Sequence, residues 1–174
     1  WDKRTCGWAA AAGHLEVLAW ARYNGAPWDD KTTELAAGRG RLEALKWAFE
    51  NGCPLKDGAC TAAASRGHLH TLEYLRSHGC PWSEDVCSGA AASGHLEVLQ
   101  WARARGCPWD KGTVVAAASG GHVAALEWAM ANGCGWDESA SEAAAARGHV
   151  GVLQWAVAAG LPLAPATAAA AARG

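Results

Sequence analysis

The sequence predicts an all-α fold, a solenoid of stacked helix–turn–helix repeats, and three observations carry that prediction. A motif returns every 27 residues, two glycines mark each unit at fixed places, and no segment alternates apolar with polar residues as a half-buried strand would. Each unit opens on Trp-Asp or its equivalent, at Trp1, Trp28, Leu55, Trp82, Trp109 and Trp136. One glycine recurs at Gly13, Gly40, Gly67, Gly94, Gly121 and Gly148, and another at Gly25, Gly52, Gly79, Gly106, Gly133 and Gly160. Pro follows the second glycine two residues later, except at Gly135. The register gives repeats 1–27, 28–54, 55–81, 82–108, 109–135 and 136–162, with a partial seventh at 163–174, in a single repeat domain spanning 1–174.

Within a unit the first helix starts at Asp2, Asp29, Ser83, Asp110 or Asp137, residues whose short side chains cap free N–H groups. It ends on an Ala-Ala pair such as Ala36-Ala37 or Ala117-Ala118, small enough to let neighbouring backbones approach. The second helix is clearest at Leu96-Glu97-Val98-Leu99-Gln100-Trp101-Ala102, whose apolar positions cover more than one narrow stripe. A helix packed on both sides by neighbouring repeats has that pattern. Asn24-Gly25, Asn51-Gly52 and Asn132-Gly133 then supply a left-handed cap, and the following Pro stops the helix. A single hairpin of this kind cannot bury its apolar faces alone, whereas a stack can.

Composition narrows the function classes. The chain has 15 basic and 17 acidic residues, net charge −2, without the basic footprint of a nucleic-acid or anionic-membrane binder. No apolar run approaches the roughly 18 residues of a membrane span. Seven cysteines without a leader suggest a reducing, intracellular and cytoplasmic setting. The ends fall inside the repeat, so the sequence reads as a piece of a longer protein, and the nearly all-apolar last unit expects a further repeat or cap over it.

The recurring residues read as structural. Trp20, Trp47, Tyr74, Trp101, Trp128 and Trp155 form one ladder, and the Trp-Asp tryptophans another. Because Tyr and Leu substitute in these rungs, the ladders are expected to be inter-repeat core instead of stacking platforms for a ligand. His14, His68, His95, His122 and His149, with Arg41 in the remaining repeat, cannot share a metal. Equivalent residues of stacked helices lie roughly 8–10 Å apart, against about 2.0–2.1 Å for a zinc–nitrogen bond. They are expected to bond backbone groups in their own or an adjacent turn. The cysteines at Cys53, Cys80, Cys107 and Cys134, and at Cys6, Cys60 and Cys87, alternate with Ala, Leu and Val and read as small buried hydrophobes. Same-register pairs are too distant for a disulfide, while Cys53/Cys60 and Cys80/Cys87 stay open. Polar residues that repeat every 27 positions spread along a ladder instead of converging, so the reading is of a protein that is not an enzyme, with no metal and no cofactor.

Ala-Ala-x-x-Gly-His-Leu-Glu-Val-Leu at Ala9–Leu18 and again at Ala90–Leu99, with the Asn-Gly-Cys or Asn-Gly-Ala that follows, resembles the centre of the ankyrin repeat. The resemblance covers the whole chain. The unit is about six residues short of the usual ankyrin length of about 33, and the Thr-Pro-Leu-His tetrapeptide is missing, so shortened or absent β-hairpin fingers are expected. The resemblance implies a protein–protein interaction scaffold or adaptor whose first helices line a concave binding face. The positions that vary there include Arg4, Trp8, Lys31, Glu34, Leu35, Asp85 and Lys111, which are the candidate contacts to another protein. Arg22 and Arg103, late on second helices, are expected to face away and to tolerate charge reversal without loss of binding. The alternatives are an architectural spacer or peripheral subunit of a larger assembly, or a segment of a longer enzyme or ubiquitin-ligase adaptor.

Overall fold

The computed structural model describes residues 2–165 and 167. Trp1 of the ladder, and Ala166 with residues 168–174 of the partial seventh unit, lie outside the described residues. Among the described residues there are twelve α-helices and no strand: α1 (Lys3–Ala12), α2 (Leu15–Tyr23), α3 (Asp30–Gly38), α4 (Leu42–Glu50), α5 (Asp57–Ala64), α6 (Leu69–Ser77), α7 (Glu84–Ala92), α8 (Leu96–Ala104), α9 (Lys111–Gly120), α10 (Val123–Ala131), α11 (Glu138–Ala146) and α12 (Val150–Ala158). The segments where ankyrin fingers would stand are irregular, as the short repeat length predicts.

Contacts divide the chain into two compact units, Trp1–Val86 and Cys87–Gly174, with the division inside α7. In the first unit α1 packs on α3 and α3 on α5, while each first helix also packs on its own second helix. The second unit repeats the plan, α9 on α11, with α10 touching both α8 and α12. First helices thus form one layer and second helices another within each unit.

The expected caps are present. Asp2, Asp29, Asp110 and Asp137 accept from the N–H two residues on, at 2.9–3.1 Å. At the other end of the unit the Asn amide adds a bond invisible in the sequence. Nδ2 of Asn24, Asn51 and Asn132 donates to the carbonyl of Trp20, Trp47 and Trp128 at 2.8–2.9 Å. The chain then turns through a glycine in the left-handed region, as at Gly25 with φ +79°.

The core is built mostly from small residues, with a fully buried leucine on each of the first five second helices and a second one, Leu75, in the third repeat. Ala36, Ala37, Ala63, Ala64, Ala90, Ala91, Ala117 and Ala118 are fully buried, as are Leu18, Leu45, Leu72, Leu99 and Leu126 on the second helices. All seven cysteines are buried and none is in a disulfide. Burying each leucine contributes about 1.5–3 kcal/mol.

The tryptophan ladders correct the sequence reading. None of the described ladder tryptophans is fully buried, and Trp20 is 56% exposed. The reason is angular. At 3.6 residues per turn Trp20 lies about 200° round the helix from the buried Leu18, and Ala packing draws the helices too close for an indole between them. The indoles instead sheathe the outside edge to face, Trp28 on Trp47 at 6.0 Å, Trp109 on Trp128 at 5.7 Å and Trp136 on Trp155 at 5.9 Å. Arginine guanidiniums cover them: Arg22 lies 4.1 Å from the Trp28 ring, Arg76 4.0 Å from Trp82 and Arg103 4.3 Å from Trp109.

Two buried hydroxyls, Thr32 and Thr113, have no hydrogen-bond partner among the described residues. The chain places the fully buried Val86 at the equivalent position. Thr113→Val should therefore stabilise the protein by about 1 kcal/mol or more, since it removes the desolvation cost of an unmade bond at nearly constant volume. Thermal unfolding followed by circular dichroism would show it as a raised Tm, and a lowered Tm would contradict the assignment of an unsatisfied hydroxyl.

Candidate protein-binding face

Five of the candidate contacts sit together in the first unit, on α1 and α3. Trp8 is 66% exposed, and the guanidinium of Arg4 lies 5.8 Å from its ring. Arg4 also pairs with Asp2 at 2.7 Å, which with its hydrogen bonds holds the Asp2 carboxyl below the usual range. Leu35, one repeat on from Trp8, is 38% exposed and reaches across to α1, where a Cβ added at Gly7 would meet its Cδ1 at 3.0 Å. Side chains at this position shrink from Trp8 to Leu35 to Ala62. Lys31 binds Glu34 at 2.6 Å, and that bond raises the lysine pKa. Glu34 in turn lies over Gly58 of α5, 2.7 Å from where a Cβ would be.

The other two candidates are Asp85 on α7 and Lys111 on α9. Asp85 is exposed at the start of α7 and exchanges hydrogen bonds with Ser83, its N–H donating to Oγ at 3.3 Å. Lys111, in the second unit, binds Asp137 of the next repeat at 2.9 Å. Ser139 first and Lys111 second hold the Asp137 carboxyl down at about 2. Lys3–Asp29 at 3.1 Å and Lys56–Asp30 at 3.3 Å likewise tie neighbouring first helices. Several charges of this face thus connect repeats while remaining open to solvent.

The histidines carry a different task. His149 Nε2 donates to the Ser119 carbonyl of the preceding repeat at 2.9 Å, and its ring fills the space above Gly121, where a Cβ would stand 2.6 Å from Nδ1. His122 over Gly94 and His68 over Gly40 have the same seat. Arg41 takes it over Gly13, with Nε donating to the Ala11 carbonyl at 3.4 Å. The sequence placed these bonds in the same or an adjacent turn; the resolved ones reach the adjacent repeat. Among the described residues no cluster of three or more metal-ligating side chains occurs, and no helix is long and apolar enough to cross a membrane.

The second-helix side of the first unit has an open cleft of about 550 Å³, lined by Ala19, Trp20, Arg22, Tyr23, Trp28, Trp47 and Asn51. Tyr23 there is 92% exposed. Sequence reasoning missed this feature because it assigned the indoles to the interior. Arg22 is also no free surface charge, since Nη1 donates to the Ala26 carbonyl at 2.7 Å.

No family model and no curated protein matches the chain. Among solved structures, the crystal structure of the human ASB11 ankyrin repeat domain is similar, with a TM-score of 0.64 and 17% identity over 80% of this chain and 76% of that one. A likeness at that identity speaks for the backbone arrangement, which here agrees with the helix order and the repeat read from the sequence. The chain has the ankyrin-repeat fold, an all-α repeat solenoid.

Proposed function

We propose that the chain is an adaptor that binds another protein through its first-helix face, and that it acts by binding and not by catalysis. The observation that carries this is Trp8. It is a large apolar side chain two-thirds exposed, with Arg4 over it and Leu35 against the preceding Gly7, at a position where later repeats have Ala62, Gly89, Ala116 and Ala143. Tryptophan and arginine are the side chains most enriched at energetic centres of interfaces, and the fold below them needs no indole there. Lys31, Glu34, Asp85 and Lys111 would set orientation and partner choice. The mixed charge of this face supports a protein partner over a nucleic acid or a membrane, and seven buried cysteines outside any disulfide support a reducing, intracellular setting.

Trp8→Ala should weaken binding of a partner captured with the protein by about tenfold or more, as truncation of an interface hot spot does, with little change in Tm. Lys31→Glu or Asp85→Lys should weaken it less. Isothermal titration decides. The exposed cleft around Trp20 and Tyr23 favours a second reading, an architectural piece held by its second-helix side. If Tyr23→Ala abolishes binding while Trp8→Ala leaves it intact, the architectural reading replaces the adaptor.

A further inference from the structure

Two clefts on the second-helix side repeat one design at the same phase of the unit. The first forms where repeat 1 meets repeat 2, and Arg22, Trp28, Trp47 and Asn51 line it. The second, of about 270 Å³, forms where repeat 4 meets repeat 5. Arg103, Trp109, Trp128 and Asn132 line it, each three units on from its counterpart. No other junction between full repeats has all four members, since Leu55, Arg105 and Met130 each take the place of one. The second cleft lies between interior repeats, so the design is not a by-product of an uncovered first repeat.

Charge tells what these clefts suit. Every lysine of the chain pairs with a carboxylate. Arg22 and Arg103 have no ion-pair partner among the described residues, and neither cleft is lined by an acidic side chain. Both guanidiniums are nevertheless fixed. Arg22 lies over the Trp28 ring and Nη1 donates to the Ala26 carbonyl, while Arg103 is held in the same way by Trp109 and the Cys107 carbonyl. Each thus uses one of the five N–H donors in its planar fork and keeps the others for a ligand. A cation held still but not neutralised is prepared for a carboxylate, because the fork's freedom is already lost in the free protein.

We propose that each cleft docks an acidic peptide segment of a partner protein, in which an Asp or Glu side chain takes the guanidinium and a neighbouring aromatic ring lies on the indole pair. The edge-to-face indoles offer that ring an apolar wall beside the cation. Asn51 and Asn132 spend an amide N–H on the Trp47 and Trp128 carbonyls, at 2.8 Å each, and keep Oδ1 to accept a peptide N–H. One cation per cleft matches a single carboxylate better than a doubly charged phosphate. The first cleft also has the exposed rings of Trp20 and Tyr23, where the second has Gln100 and Ala104, so the first binds more tightly. These sites lie on the second helices and stand or fall separately from the first-helix contact at Trp8.

The test titrates the full chain, labelled at its indole nitrogens, with the peptide Ac-Gly-Glu-Phe-Gly-NH2, its Gln counterpart and inorganic phosphate, and follows the indole N–H resonances. The Glu peptide should saturably shift Trp28 and Trp47 first, then Trp109 and Trp128 at higher concentration, and leave Trp8 unmoved. The Gln peptide should bind about tenfold more weakly or worse, as loss of the charge-assisted bond requires. Arg22→Met and Arg103→Met take the residue that the chain carries at this phase as Met130, so both should fold, and each should lose the shifts at its own cleft alone. The comparison of Glu with Gln needs no variant. Equal binding of the two peptides, shifts at one cleft only or at Trp8, phosphate acting at lower concentration than the Glu peptide, or shifts that survive in both Met variants would each overturn the assignment. So would a Glu peptide that moves no indole.

Discussion

In urea unfolding, Leu99→Ala should cost about 2–5 kcal/mol, the range for emptying a closed leucine site, whereas Trp101→Ala, two residues away, should cost roughly half as much. Leu99 is fully buried between alanine-lined helices that cannot collapse far into the vacated space. Trp101 is half-buried and is held from outside by Arg105, whose guanidinium lies 4.2 Å from its ring. Repeat stacks gain stability from neighbour contacts, so the leucine change should also broaden the transition, as its own repeat opens first. Equal losses for the two substitutions would return the indoles to the core.

Arg103→Glu should lower stability by about 2–4 kcal/mol, the combined scale of a lost cation–π contact and a lost charge-assisted hydrogen bond. The guanidinium covers Trp109 and donates to the Cys107 carbonyl, so the substitution removes both contacts and sets a carboxylate facing a carbonyl oxygen. Arg103→Met, the residue that the chain carries at the same place as Met130, should cost about half as much. The sequence reading took Arg103 and Arg22 as charges facing away from the binding face, whose reversal leaves partner binding intact. The structure adds a stabilising role: Arg22 and Arg103 each bridge the turn after their second helix to the indole that opens the next unit. A Tm for Arg103→Glu within error of the parent protein would refute the bridge.

Periodicity made most of the fold legible, because every element occurs six times in one register and the caps, alanine pairs and glycine turns have local causes. Two features did not follow from it. The indoles recur as regularly as core residues do, and recurrence cannot separate a residue that fills the interior from one that sheathes it. The helical angle between Leu18 and Trp20 could have separated them. Arg22, Arg76 and Arg103 occur only in repeats followed by Trp28, Trp82 and Trp109, while Phe49 and Val157 precede Leu55 and Leu163; that pairing was a readable sign of the cation–π bridge, with Met130 before Trp136 the exception. On the candidate face, Trp8 and Leu35 were visible as irregularities in an otherwise small-residue column. That Lys111 belongs to an ion pair with the next repeat was not visible, since the spacing between Lys111 and Asp137 crosses a turn whose path the sequence does not specify.

The seat of histidine over glycine also sets the grammar by which such a chain can change. Each resolved seat joins a socket in one repeat to a plug in the next, His122 in Gly94 and His149 in Gly121, and all the parts lie at fixed phases of the 27-residue unit. Gene-level insertions or losses of one whole unit leave every plug facing a socket. A shift of a few residues instead brings a side chain against a backbone that has no room for a Cβ. Length can therefore drift in steps of one repeat while surface residues such as Trp8 drift one at a time, and the two kinds of variation stay independent.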